Sequence, residues 1–122
     1  MALIFSMKNF NSIKKNQDFQ TVYHTGNSKA NRLLIMYIRP NERPDTRIGI
    51  SVSKKVGNSV VRHHVTRLLK EAYRTSEDRK MFNSGLDIVI VARPSCAELT
   101  LEQAGQSILG LARRHRFLKT DQ

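Results

Sequence analysis

The residues from Thr46 to Arg74 constrain the fold most strongly, because the spacing of their apolar side chains changes within one stretch. In TRIGISVSK, Ile48, Ile50 and Val52 alternate with small or polar residues, which predicts a strand with one apolar face. The other face, small and polar, leaves room for the backbone of a ligand. Gly57 ends the strand, and a helix capped by Asn58 or Ser59 follows. Its apolar stripe consists of Val61, Val65, Leu68, Leu69 and Ala72.

The rest of the chain predicts two more helices and two more strands. NQDFQTVYHT predicts a helix over residues 16–25, capped by Asn16 and ended by Gly26. One strand covers residues 33–39, and another, apolar on both faces and hence interior, starts at Asp87. The last helix follows a capping box of Thr100 and Gln103. This order indicates one α+β domain over residues 1–122, a compact α/β sandwich of three helices and a central, mostly antiparallel sheet. We expect residues 1–12 to form a flexible extension and residues 117–122 a frayed tail.

The charge of the chain indicates an anionic partner. Lys and Arg total 21 against 10 Asp and Glu, which gives a formal net charge of +11. Such an excess repels itself in the folded state, so a polyanion is the expected partner. Nucleic acid is favoured over a membrane, because the chain has no long basic helix with bulky apolar residues. A single cysteine, Cys96, and the absence of an apolar membrane span predict a soluble, cytoplasmic protein. We expect no obligate protein partner.

The basic residues concentrate in the stretch from Thr46 to Arg74, the strand and the helix that follows it. Between Arg47 and Arg74 the chain has seven basic residues and one acid, Glu71. At about 100° per residue, His63, Arg67, Lys70 and Arg74 lie opposite the apolar stripe, with Arg62 and His64 on its flanks. A solvated helix face is the ordinary explanation of such charge. Three observations favour a nucleic-acid surface instead. Nearly all charges in this stretch are positive, a polar strand face lies beside them, and the net charge of the chain is high.

Neither a catalytic nor a metal site is expected in this chain. His63 and His64 are adjacent, so on a helix they diverge by about 100° and do not chelate one ion. No paired carboxylate, CxxC or HxxxH supports them, and the phosphate-binding GxxxxGK[ST] motif is absent. A stand-alone nuclease is therefore disfavoured. The aromatic rings of Phe19, Tyr23 and Tyr37 offer stacking surfaces for unpaired bases, with core packing as the alternative for Phe19.

Four segments taken in order are similar to a known family. IKKNQDFQTVYHTG, ANRLLIMY, RIGISVSKKVGNSVVRHHVTRLLKEAYR and DIVIVARP resemble the protein subunit of bacterial ribonuclease P, from about Ile13 to His115. The resemblance implies a ribosomal-protein-like sandwich with a left-handed strand–helix–strand crossover, an exception to the usual right-handed rule. It also implies that a partner RNA, using magnesium ions that the protein does not bind tightly, is the catalyst. The protein then assists endonucleolytic removal of the 5′ leader from precursor tRNA.

The resemblance also assigns roles to individual residues. The leader would lie in a cleft near Phe19, Tyr23, Tyr37 and Ser51. The family usually has Arg-Asn-Arg where this chain has Arg62-His63-His64, and a Lys where it has Thr66, so two permanent charges are absent. The alternative is a ribosome-associated or assembly protein that binds structured RNA and has no part in catalysis. The residues expected to contact catalytic RNA are Lys54, Lys55, Asn58, Arg62, His63, His64, Arg67, Lys70 and Arg74.

Overall fold

The computed structural model describes residues 11–78 and 85–115, which form five strands and three α-helices. The helices confirm the three expected from the apolar spacing. Two of the strands, the first two along the chain, were not expected. The elements are β1 (Asn11–Ser12), α1 (Asn16–Thr25), β2 (Asn27–Ala30), β3 (Leu34–Pro40), β4 (Arg47–Val52), α2 (Ser59–Asp78), β5 (Leu86–Ala92), a 3-10 turn (Pro94–Glu98) and α3 (Leu101–His115).

The five strands form one mixed sheet in the order β1-β4-β5-β3-β2. β1 and β5 both pair with β4 in parallel, whereas β3 pairs antiparallel with both β5 and β2. The sheet is thus mixed, with two antiparallel and two parallel pairings, and the expected α+β class is confirmed. β4 and β5 are neighbouring parallel strands joined through α2, as the resemblance implies. The left-handedness of that crossover stays a prediction.

The two unexpected strands are short and lie at the two edges of the sheet. Asn11 and Ser12, expected within a flexible extension, pair with Arg47 and Ile48, and the Ile13 amide donates to the Ile48 carbonyl at 2.7 Å. All four residues of β2 are exposed, so this strand carries no apolar alternation. Edge strands of this length leave no periodic signal in a sequence. Residues 1–10 and 117–122, also expected to be flexible, lie outside the described residues.

Each face of the sheet has its own apolar cluster. The larger cluster lies between the sheet and helices α2 and α3, where Val65, Leu69 and Ala72 of the predicted stripe are buried. The smaller cluster lies on the opposite face, where Val22 of α1 is buried together with Ile13 and Val89. Strand β5 contributes to both clusters, which confirms that it is an interior strand. The sheet thus separates a two-helix layer from a one-helix layer.

The helix starts test the predicted caps. The Asn58 Oδ1 accepts the Val61 amide at 3.0 Å, which confirms Asn58 as the cap of α2. Thr100 and Gln103 exchange two hydrogen bonds of 3.1 Å, the predicted capping box of α3. The cap predicted for α1 is wrong, because Asn16 is already the first helical residue. Lys15 precedes it and makes no side-chain capping bond.

Candidate RNA interface

The exposed part of helix α2 carries the basic residues predicted to contact RNA. Lys54 and Lys55 are exposed in the turn before the helix, and His63, His64 and Arg67 are exposed on its first turns. The two histidines and Arg67 line an open depression of about 460 Å³ together with Ser59 and Val60. Val60 is 75% exposed. We call Lys54, Lys55, Arg62, His63, His64, Arg67 and Lys70 the α2 basic surface.

The turn before α2 is held in place by its own residues. The Ser53 Oγ accepts the Lys55 amide, and the Asn58 side-chain oxygen is used in the helix cap. A side chain at Gly57 would begin 2.8 Å from Val61 Cγ1, so only glycine lets the turn pack this closely on the helix. These contacts position Lys54 and Lys55 beside the helix N-terminus. Asn58, predicted as an RNA contact, therefore also has a structural role.

Of the seven Lys and Arg residues from Arg47 to Arg74, the first and the last are neutralised by carboxylates and lie outside the α2 basic surface. Arg74 donates to both oxygens of Glu71 three residues earlier, and these bonds lower the pKa of Glu71. Arg47 makes a two-bond fork with Asp87, at 2.9 Å and 2.7 Å, and reaches Asp18 on α1 at 3.3 Å. Sequence reasoning had counted both arginines as part of a free basic cluster. The charge available to a partner is therefore smaller and lies nearer the start of α2.

The Arg47–Asp87 pair ties the sheet to helix α1. Burial alone would raise the pKa of Asp87, but the bonds from Arg47 and Asn41 hold that pKa below its ordinary value. Asp87 is 2% exposed and stays ionised because its partners compensate the charge. Through Asp18, the same network fixes α1 over strands β4 and β5.

The aromatic residues predicted to form a cleft lie together on the α1 side of the sheet. The ring centroids of Phe19 and Tyr23 are 6.4 Å apart, and those of Tyr23 and Tyr37 are 5.0 Å apart in an edge-to-face arrangement. Ser51 faces the same side, because it and Gly49 are two residues apart on β4. All three rings are half-buried. We call Phe19, Tyr23, Tyr37 and Ser51 the aromatic cleft.

Phe19 occupies space that the sequence had assigned to a ligand. A side chain at Gly49 would begin 2.7 Å from the Phe19 ring, so the glycine makes room for that ring. The Phe19 ring therefore takes up part of the space that this strand face was expected to leave for a ligand backbone. Phe19 packs on the strand, as its alternative role required, and still exposes part of its ring; its role as a stacking surface stays a prediction.

A cavity of about 250 Å³ joins the two surfaces. Lys70 and Thr66 of α2 line one side, and Phe19 of α1 lines the other, with Gly49 and Ile50 of β4 between them. Lys14, which sequence reasoning did not select, also lines this cavity. The basic surface and the aromatic cleft therefore meet at one place.

The described residues offer no obvious site for a protein-bound metal ion. Within residues 11–78 and 85–115, no three His, Cys, Asp or Glu side chains are grouped so that they could hold one. In the same part of the chain, no helix is long and apolar enough to cross a membrane.

Fold and site together define a small α+β protein with a basic helix beside an aromatic cleft, the class of protein that binds RNA. A sequence model of the family Ribonuclease P matches residues 7–116. A ribonuclease P protein component of Alkaliphilus metalliredigens is 48% identical over 92% of this chain and 99% of its own length. A ribonuclease P protein component of Bacillus cereus is 43% identical over 88% of this chain and 93% of its own length. The chain therefore belongs to the family of ribonuclease P protein components.

Solved structures agree with this assignment. The ribonuclease P protein of Staphylococcus aureus is 34% identical, with a TM-score of 0.78, over 88% of this chain and 97% of that one. The ribonuclease P protein of Thermotoga maritima shares the fold. It is 23% identical, and the TM-score is 0.75 over 85% of this chain and 96% of that one. Proteins of this family are parts of an endoribonuclease. A separate ribosome-associated or assembly function is not favoured.

Proposed function

We propose that this chain binds the catalytic RNA of ribonuclease P through the α2 basic surface and holds the 5′ leader of precursor tRNA in the aromatic cleft. The observation that carries the proposal is the cavity that Phe19 and Lys70 line together. It places a stacking surface within reach of the basic surface. A leader leaving the catalytic RNA would thus pass directly onto the cleft.

The α2 basic surface suits a phosphate backbone. Lys54, Lys55 and Arg67 are exposed, and no described carboxylate lies within ion-pair distance of them. The Arg62 Nε is buried without a hydrogen-bond partner among the described residues. A buried donor left unpaired is costly, and a phosphate oxygen brought in by RNA would satisfy it after a small side-chain movement.

The aromatic cleft suits unpaired nucleotides. Tyr23 and Tyr37 are half-buried, so each ring is fixed by packing while part of it faces solvent. Stacking on such rings does not depend on base identity, as required for leaders of varied sequence. Lys14 and Lys70 border the same cavity and would neutralise leader phosphates.

Catalysis would belong to the partner RNA, which uses magnesium ions. The contribution of the protein is electrostatic. Its cations offset repulsion between RNA and substrate phosphates, which would otherwise demand more divalent ion.

Reconstitution tests this proposal. Precursor tRNA would be incubated with protein alone, with ribonuclease P RNA alone, and with both, over a magnesium titration. We expect no cleavage by RNA-free protein and a lower magnesium requirement for the complex than for the RNA alone. Cleavage by rigorously RNA-free protein would contradict the assignment of catalysis to RNA. An unchanged magnesium requirement would contradict the electrostatic role.

A further inference from the structure

A second group of cations lies at the opposite edge of the sheet from the α2 basic surface. Strand β2 is three strands away from β4, roughly 14 Å at about 4.8 Å per strand. Lys29 lies on β2, Arg32 follows it in the turn to β3, and Arg113 and Arg114 end α3, which packs on both strands. All four side chains are exposed. We call these four residues the β2–α3 patch.

The β2–α3 patch has no compensating acid. Among the described residues, no carboxylate is within ion-pair distance of any of the four cations. Burial lowers the pKa of the nearby His115 imidazole, and the positive charges of Lys29 and Arg114 lower it further. The hydrogen bond to the Met36 carbonyl acts in the opposite direction and raises this pKa. Two of the cations therefore act on the same imidazole. A favourable interaction with the α3 dipole explains Arg113 and Arg114 but not Lys29 and Arg32.

The turn between β2 and β3 is built rigidly within this patch. The Arg114 Nη1 donates to the Ala30 carbonyl at 2.7 Å, and the Arg93 Nη1 donates to the Asn31 carbonyl at 3.0 Å. The Ser95 Oγ donates to the Arg32 carbonyl at 2.6 Å. Three successive carbonyls, from the last residue of β2 and the first two of the turn, are thus held by side chains from the residue after β5, the 3-10 turn and α3. Each guanidinium has five donors, so these bonds leave others free for a ligand.

Beside this turn lies a polar cavity of about 340 Å³. Arg32 lines it with the amide side chains of Asn31, Gln103 and Gln106. Amide groups both donate and accept hydrogen bonds, so they match phosphate oxygens and ribose hydroxyls. A cation and several amides around one depression thus form a polar site next to Arg32 of the patch.

We propose that the β2–α3 patch binds the phosphodiester backbone of a second segment of RNA, separate from the segment on the α2 basic surface. The inference rests on the proposed function, because ribonuclease P RNA is the partner in both contacts. Binding at two edges of one sheet would fix the orientation of the protein on the RNA. A single basic helix would leave the protein free to rotate about that contact.

Tethered cleavage tests where each surface lies on the RNA. Cys96 is buried, which raises its thiol pKa and makes it unreactive, so an introduced surface cysteine can be labelled selectively. An RNA-cleaving iron chelate would be attached at Gln106→Cys beside the patch, at Val60→Cys on α2, and at Pro44→Cys as a control. Pro44 is exposed in the turn after β3, at the other end of that strand from Arg32.

We expect the Gln106 and Val60 probes to cut ribonuclease P RNA at different nucleotides, both more strongly than the Pro44 control. If the Gln106 probe cuts no more than the control while the Val60 probe cuts, the patch proposal is wrong and the proposed function stands. If both probes cut the same nucleotides, the claim of a separate segment is wrong. If no probe cuts above the control, the proposed function itself fails.

Charge removal gives an independent measurement. Arg32→Gln with Arg113→Gln removes two cations whose side chains make no hydrogen bond among the described residues, so folding is preserved. Lys15→Gln with Arg43→Gln is the control with the same charge loss. We expect the patch variant to lower the slope of log affinity against log salt by about two, roughly one per phosphate contact. An equal change in both double variants would show a general charge effect and overturn the proposal.

Discussion

Gly49→Ala tests whether strand β4 positions the Phe19 ring. The added methyl would lie 2.7 Å from Cε1 and Cζ of Phe19 and 3.2 Å from Cβ of Ile13. Carbon atoms pack best at about 3.5–4.0 Å, so the ring must withdraw by about 1 Å. Overpacking costs about 1–3 kcal/mol, and replacing a strand glycine by alanine recovers about 0.5–1 kcal/mol. We therefore expect the free energy of unfolding to fall by about 1–2 kcal/mol.

A double-mutant cycle identifies the cause of that loss. Phe19→Leu removes the distal ring atoms that the new methyl would contact, so the two substitutions should together cost about 1 kcal/mol less than their sum. Urea unfolding followed by circular dichroism would be measured for the wild type, both single variants and the double variant. Additivity within about 0.3 kcal/mol would refute the steric argument. Phe19 would then not be held by Gly49.

Other substitutions test the remaining contacts. Asp87→Asn should destabilise the fold by about 2–4 kcal/mol, because Arg47 keeps only Asp18 as a compensating charge. Arg43→Gln breaks an exposed ion pair and should cost at most about 1 kcal/mol. Equal losses in the two variants would contradict the burial argument. Because the folded-state pKa of Asp87 is depressed, its contribution to stability is present above about pH 4 and is lost as the pH falls further. A flatter acid profile for Asp87→Asn, from unfolding at several pH values, checks this. Asn58→Ala should cost about 1 kcal/mol through the lost α2 cap, and no loss of stability would remove the cap role. His64→Arg should bind ribonuclease P RNA more tightly at neutral pH in a filter-binding titration, because arginine is always charged; weaker binding would place exposed His64 off the interface.

The parts of the fold that follow local patterns could be predicted from the sequence. Helix α2 follows from its stripe and from Asn58, and the α3 capping box follows from Thr100 and Gln103. Strands β1 and β2 could not be predicted, because short edge strands bury too little to impose a period. The parallel pairing of β1 with β4 depends on contacts between residues far apart in the chain.

The candidate site shows the same division between local and distant contacts. The rings of Phe19, Tyr23 and Tyr37 lie together, whereas the leader-binding role that the family resemblance gives them stays a prediction. Arg47 was counted as a free charge because its partner, Asp87, is 40 residues away. The Arg74–Glu71 pair was within reach of sequence reasoning, since residues three apart on a helix are neighbours.

The most direct test of the account is to separate its two surfaces in one set of affinity measurements. Dissociation constants would be measured for protein with ribonuclease P RNA, and for the complex with precursor and mature tRNA, using wild type, Arg67→Gln and Tyr23→Leu. We predict that Arg67→Gln weakens assembly with the RNA and leaves the preference for precursor over mature tRNA intact. Tyr23→Leu should leave assembly intact and lower that preference by about 5- to 150-fold, the loss of one stacked base. If each variant changed both quantities equally, the assignment of the two surfaces to different RNAs would be contradicted.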